Sequence, residues 1–427
     1  MIRRGMLFLS KIPDWAWLAT AFLLRAGFVL TIGERLLQTD ELGYTGAAAQ
    51  WAATGIIGAG GKAVALPLLP ALFFGAFFKF SSRLLWPRLG QAVVGTLAAW
   101  LIGRMARTLS GSEAAGRAAL AVACVYPFFI YYCGILQSET LDVTMIAAGL
   151  WALGASLADG GKDAPRAAAA GLFLGVSALV RAESFPIFGV IWPALLVLTA
   201  TGRWRLRAWS LAAVFWLAPI LCMCARNQRA TGHFTLDDHG GMAMVHGTIL
   251  FNLNEQDTGI AMSEFKQTSI YREGQSLDDH ERDRFYLRES LEFMSSHPAQ
   301  TVRQWGAKCV NFWRFYPRLD KRYAETSFSH PGAGFSRLAL VVISLLFEPW
   351  LIVGGLCGLW DMRHRWPYLL PGVLFLAGTM AVHVLSVSQM RYRLPIMPIL
   401  MVGAASLLAR LAGGKSADCR FRSRPRD

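Results

Sequence analysis

Charge is scarce in this chain. Only 16% of its 427 residues are Asp, Glu, Lys or Arg, where soluble domains carry about 25%. With 54% hydrophobic residues and a mean hydropathy of +0.38, that deficit excludes a soluble globular class. Acids are scarcer than bases, 28 against 42, for a net charge of +14. In a soluble protein such an excess would suggest nucleic acid. Here the basic residues sit mostly in short loops between apolar runs, which is the positive-inside bias, so no nucleic-acid partner is expected. The seven cysteines lack metal-ligand spacing. Most lie within apolar runs (Cys124, Cys133, Cys222, Cys224 and Cys357) and read as buried thiols. No internal repeat of the transporter type is visible.

What is present is a series of apolar runs at 14–33, 88–108, 115–136, 138–157, 166–181, 184–201, 207–226, 336–360, 367–386 and 394–412. A span needs roughly 20 apolar residues. The expected fold is therefore an all-α polytopic membrane protein with about ten transmembrane helices. Arg3, Arg4 and Lys11 before the first run imitate a signal peptide. No small-residue cleavage site follows, so the run reads as a retained first helix. The basic turns Arg104/Arg107/Arg117, Lys162/Arg166, Arg203/Arg205/Arg207 and Arg363/Arg365, and the tail 413–427, all face the cytoplasm if 64–80 does not cross. That stretch is short and opened by Pro67 and Pro70, and it reads as an interfacial helix; a true short span is the alternative.

The expected organisation has four parts. An N-terminal transmembrane module, 1–226, carries a first outer loop at 34–87. A periplasmic segment, 227–335, has amphipathic helices at 278–294 and 299–315, separated by His297-Pro298. C-terminal transmembrane helices occupy 336–412, and a basic cytoplasmic tail 413–427 follows.

The same topology puts the acids Asp40, Glu41 and Glu139 on the outer face with the basic triplet Arg391-Tyr392-Arg393. Solvated loop acids are the plain alternative for Asp40-Glu41, and a dipole-favoured helix terminus is the alternative for Glu139. Ionisable residues beside spans are usually functional or snorkelled to the surface. Asp142 lies one turn deeper than Glu139. Two arginines at a helix N-terminus, against the positive-inside bias, suit a phosphate; lipid headgroups are the alternative. Lys62 is a second outer cation. Arg181-Ala182-Glu183 reads as a self-satisfied ion pair, and His233, His239, His246 and His330 as surface residues. A phosphate leaving group needs cations rather than a proton donor. An acceptor hydroxyl needs a base, which contributes about 10²–10⁴-fold. One carboxylate and an arginine or lysine clamp are a sufficient minimum. A transporter or flippase of a lipid-linked sugar would use the same cations without breaking a bond.

Several pieces, in order, resemble the integral-membrane glycosyltransferases of the C class. The nearest branches are the protein O-mannosyltransferase-like and lipid A aminoarabinose transferase-like ones, of the glycosyltransferase family 39-like superfamily. The pieces are Asp40-Glu41-x-x-Tyr44, Pro67-Leu-Leu-Pro70 after a lysine, Tyr126-Pro127 leading to Glu139, and 171–181 (GLFLGVSALVR). Arg226-Asn227, His297-Pro298 and Arg391-Tyr-Arg-Leu-Pro395-Ile-x-Pro398 complete them. The resemblance implies an enzyme of the inner (cytoplasmic) membrane whose active site faces the periplasm or cell exterior. It would transfer a sugar by inverting displacement from a polyprenyl-phosphate-linked donor to a lipid, glycan or protein hydroxyl. Membrane lipids are the remaining partners. Asp40 then maps to the base, with Glu41 beside it. Glu139 and Tyr44 orient acceptor or metal, and Arg391, Arg393, Tyr392 and Lys62 hold donor phosphate. No cofactor is firmly implied. A divalent metal stays open, since related oligosaccharide transferases hold one with outer-face acids, and Asp40 and Glu139 are such acids. Two departures stand out. Lys62 is separated from Pro67 by four residues, and Gly43 replaces the arginine of the aminoarabinose branch.

Overall fold

The computed structural model describes residues 11–38, 40–55, 68–253, 258–316 and 337–413. All regular structure among them is helical. The first half holds α1 (Asp14–Ile32), α2 (Asp40–Thr54), α3 (Leu68–Phe78), α4 (Leu85–Ser110), α5 (Glu113–Val125), α6 (Pro127–Cys133), α7 (Glu139–Ala158), α8 (Ala164–Val180), α9 (Ser184–Ala200) and α10 (Leu206–Thr231). The second half holds α11 (Gly240–Val245), α12 (Thr258–Phe265), α13 (Ser269–Gln275), α14 (Asp279–Ser296), α15 (Pro298–Phe312), α16 (Arg337–Asp361), α17 (Trp366–Leu385) and α18 (Met397–Leu411).

A helix occupies each stretch read as a span. Among the described residues, 6 helical stretches are long and apolar enough to cross a membrane, or up to 7 if the bent pair α5–α6 is one span. The chain is thus a multi-pass membrane protein, but the expected count of about ten is not reached by length and composition. The difference has a plain source. Helices α8 and α9 have 17 residues each, about 26 Å at 1.5 Å per residue, short of a ~30 Å core. The stretch 341–385 counts once although a 3₁₀ turn, Met362–Arg365, divides α16 from α17. Helix α3, inside the ambiguous 64–80 stretch, has only 11 residues. That is about 16 Å, too short to cross.

Without water to drive apolar association in lipid, helices hold together by close backbone approach. In α16 and α18 a Cβ on Gly358 would lie 1.9 Å from the Gly403 carbonyl oxygen, and one on Gly403 2.2 Å from that of Gly355. Helices α8 and α10 meet in the same way, with Gly171 against the Ala212 carbonyl and Gly175 against that of Trp216.

Helices α5 and α6 meet at 51°. Pro127 has no N–H for the Ala123 carbonyl, and extended Tyr126 interrupts the ladder. Fully buried Arg25 of α1 takes over. Its guanidinium donates to the carbonyls of Ala123 and Cys124, both at 3.0 Å. The bend turns α6 toward α7 and fixes where α7 begins.

Between α10 and α16, the described residues form a small helical unit around Val245, Leu250, Phe265, Phe285 and Tyr286. Asp278 caps α14 by accepting from the Glu281 N–H at 2.8 Å. One face of α15 buries Thr301, Gln304, Lys308 and Phe312, while Val302 and Val310 stay exposed. Its buried face is tied to the chain after α17: Lys308 Nζ donates to the Leu385 carbonyl at 3.2 Å, and Ser388 Oγ donates to the Lys308 carbonyl at 2.8 Å.

Candidate active site

Three helix starts build the site. Asp40 opens α2 and Glu139 opens α7, both where the helix dipole favours an anion. Arg391 lies in the 3₁₀ turn Met390–Ile396 that leads into α18. Asp40 Oδ2 stands 3.1 Å from Arg391 Nη1. Arg391 Nη2 donates to the Tyr392 hydroxyl at 3.2 Å. Arg391 Nε is buried with no hydrogen-bond partner among the described residues.

The Tyr392 ring links this pair to a second cluster. It stacks on His383 with centroids 4.5 Å apart and 2° between planes. The Arg181 guanidinium lies 5.2 Å from the same ring's centroid. Arg181 reaches three carboxylates: Glu183 at 2.8 Å, Glu139 at 3.5 Å and Asp142 at 3.9 Å. His383 Nε2 stands 3.3 Å from Glu183. Ser138 Oγ is 3.5 Å from both Arg181 Nη1 and the Tyr44 hydroxyl. Burial first, then the Glu139 charge, pushes the Tyr44 hydroxyl up to about 12, so it stays protonated. Burial works against ionising Glu183, but Arg181 and His383 overcome it and hold its carboxyl well below the usual range. Glu139 Oε2 and Asp142 Oδ1 are buried without hydrogen-bond partners among the described residues.

Of the residues singled out from sequence, Asp40, Tyr44, Glu139, Arg391 and Tyr392 therefore meet. Glu41 and Arg393 do not join them. Glu41 is fully buried and both its oxygens are engaged. It accepts from the backbone N–H groups of Leu37 (2.6 Å), Gln38 (2.9 Å) and Leu136 (2.9 Å), and from Arg88 (3.1 Å). Arg88 also donates to the carbonyls of Gly33 and Arg35. This network ties the start of α2 to α4 and to the turn before α7, which is a tether's geometry. Arg393 is buried too. It donates to Glu348 at 2.6 Å and to the carbonyls of Phe312 and Arg314 at 2.7 and 2.8 Å. Tyr126 hydrogen-bonds the other Glu348 oxygen. Lys62 lies outside the described residues.

Arg181-Ala182-Glu183, read from sequence as a closed ion pair, is instead the centre of the second cluster. His383 escaped notice; the signal for it was an ionisable residue inside an apolar run. Among the described residues no three His, Cys, Asp or Glu side chains form a metal-holding group. As arranged, Glu139, Asp142 and Glu183 surround the Arg181 guanidinium and Asp40 faces Arg391, so these acids do not fit a divalent ion.

The polytopic helical bundle shares its fold with a solved oligosaccharyltransferase. The chain is similar to the archaeal oligosaccharyltransferase AglB from Archaeoglobus fulgidus, solved in complex with an inhibitory peptide and a dolichol-phosphate. The TM-score is 0.51 at 12% identity, covering 96% of this chain and 52% of that one. The apo oligosaccharyltransferase of Archaeoglobus fulgidus gives a TM-score of 0.48 at 12% identity, covering 92% of this chain and 50% of that one. The chain thus spans about half the length of the solved structures it matches. At this identity the likeness is one of fold. No family model matches the chain, and no curated protein resembles it in sequence.

Proposed function

We propose that this protein transfers a sugar from a polyprenyl-phosphate-linked donor to an acceptor hydroxyl. The observation that carries the reading is the Asp40–Arg391 pair, which sets an accessible carboxylate against a guanidinium with a spare buried donor. The Asp40 carboxylate takes the acceptor's proton. The acceptor oxygen bonds to the anomeric carbon as the bond from that carbon to the phosphate oxygen breaks, with inversion. Polyprenyl phosphate leaves with the electron pair, and Arg391 holds its charge. Glu139 and Tyr44 orient the acceptor, Tyr44 as a neutral donor. Glu41, Arg88 and Arg393 position the elements, and Arg181 holds Glu139 and Asp142 in place beside the reacting groups. Lys62 remains a proposed donor-phosphate ligand.

The fold supports this chemistry, and the neighbour's bound dolichol-phosphate supports a lipid-phosphate donor here. The charge distribution supports an orientation. The site lies at the opposite ends of α16 and α18 from Arg363, Arg365 and Arg410, which supports a periplasmic or exterior active site in the inner membrane.

The test incubates purified protein with radiolabelled polyprenyl-phosphate sugars and membrane acceptors. Labelled product and free polyprenyl phosphate are expected from wild type and not from Asp40→Asn. Translocation of intact donor without release of polyprenyl phosphate would identify a flippase instead.

A further inference from the structure

A polar cavity lies at the far end of α18 from Arg391. Helix α18 has 15 residues, so the two ends are about 22 Å apart. There α4 ends, Ser112 caps α5, and the 3₁₀ turn joins α16 to α17. The cavity between them measures about 450 Å³, and its polar lining includes Ser110, Ser112, Arg363, Arg365, Ser406 and Arg410. None of these residues belongs to the site described above.

The donors exceed what the described residues use. Arg363 spends one hydrogen bond on the Trp360 carbonyl at 3.2 Å, and Arg365 one on the Leu109 carbonyl at 3.3 Å. A guanidinium offers five N–H donors. Among the described residues Asp361 is the one acid in the lining, and Arg410 pairs with it. Ser406 adds an independent sign. It is only 8% exposed, and its hydroxyl has no partner among the described residues. A serine within a helix ordinarily bonds the carbonyl four residues back, as Ser110 does with Ala106 at 2.6 Å. Ser406 leaves that bond unmade in a cavity rich in guanidinium groups.

Guanidinium forks and a hydroxyl donor match a phosphate oxyanion. Basic cavities between membrane helices on the face enriched in Lys and Arg recognise anionic headgroups. We propose that this cavity binds a phosphate ester: the headgroup of an anionic membrane lipid or a soluble phosphate. The assignment stands whether or not the transfer reading does.

The experiment is native mass spectrometry of the full chain released from uncharged detergent. Phosphatidylglycerol, phosphatidylcholine and inorganic phosphate are the probes. Phosphatidylglycerol is expected to bind more tightly than phosphatidylcholine. Ser406→Ala and Arg363→Gln should each weaken it by roughly tenfold, the scale of one hydrogen bond to a charged group. Both variants should keep the wild-type melting temperature. Phosphate binding that both variants lose, with no preference between the lipids, identifies the soluble source. Equal binding of the two lipids with no phosphate bound overturns the site, as does unchanged binding of every probe in both variants.

Discussion

Asp40 and Arg391, 351 positions apart in sequence, meet through a 3.1 Å contact between Oδ2 and Nη1. The Asp40 side chain is 54% exposed, so the pair adds only about 0–1 kcal/mol to stability. Asp40→Asn should therefore melt within about 3 °C of wild type. Its sugar transfer should fall by about 10²-fold or more, the share of a general base. A melting curve and a transfer assay on one preparation check this; undiminished transfer removes Asp40 from the chemistry.

Arg181 presents the opposite balance. It is buried among Glu139, Asp142 and Glu183. Arg181→Met strands three carboxylates, and losing one partner of a buried pair costs about 3–5 kcal/mol. A marked fall in melting temperature is expected. Arg181→Lys should recover part of it, because a point charge cannot reproduce the guanidinium fork. A melting temperature for Arg181→Met equal to wild type would mean that the cluster contributes nothing to stability.

Glu41→Gln separates tether from catalyst. The change leaves Arg88 buried without its charge partner, again a loss of about 3–5 kcal/mol. Transfer per folded molecule should change far less than in Asp40→Asn. Equal losses in the two variants would put Glu41 back among the reacting groups.

Lys308 predicts a pH dependence. Burial pushes its ammonium down to about 8 from an ordinary 10.5. Between those values the unfolded chain holds the extra proton, so this group's contribution to stability rises with pH through the window. Below about 8 the penalty is constant. Lys308→Met should melt above wild type at pH 7, and the gap should close as pH approaches 10.5. A gap of the same size at both ends would show that the ammonium is not the cause.

The apolar runs made the helices legible, because a run that must bury its backbone in lipid has few other forms. Asp40, Glu139 and Arg391 stood out because charge is rare in this chain. What each does with its neighbours was less visible. Asp40 and Glu41 are adjacent in sequence, yet the helix turns one toward solvent and the other into the frame. Arg391 and Arg393 part in the same way across a 3₁₀ turn. The Arg181–Glu183 pair looks complete when read locally. Only tertiary packing brings Glu139, Asp142 and His383 to it. The span count is not confirmed at α8 and α9, where apolar composition is unmistakable but each helix has only 17 residues.

Arg25 carries a consequence for biogenesis. Its partners, the carbonyls of Ala123 and Cys124, are made long after α1 leaves the ribosome. Until they arrive, the guanidinium has only the Ala21 carbonyl of its own helix as a described partner, and an arginine at the centre of a bilayer costs about 2.5–3.5 kcal/mol. That cost disfavours leaving α1 alone in lipid. The kink that shapes the mature protein would also act as a checkpoint during its synthesis, admitting α1 only once α5 and α6 stand beside it.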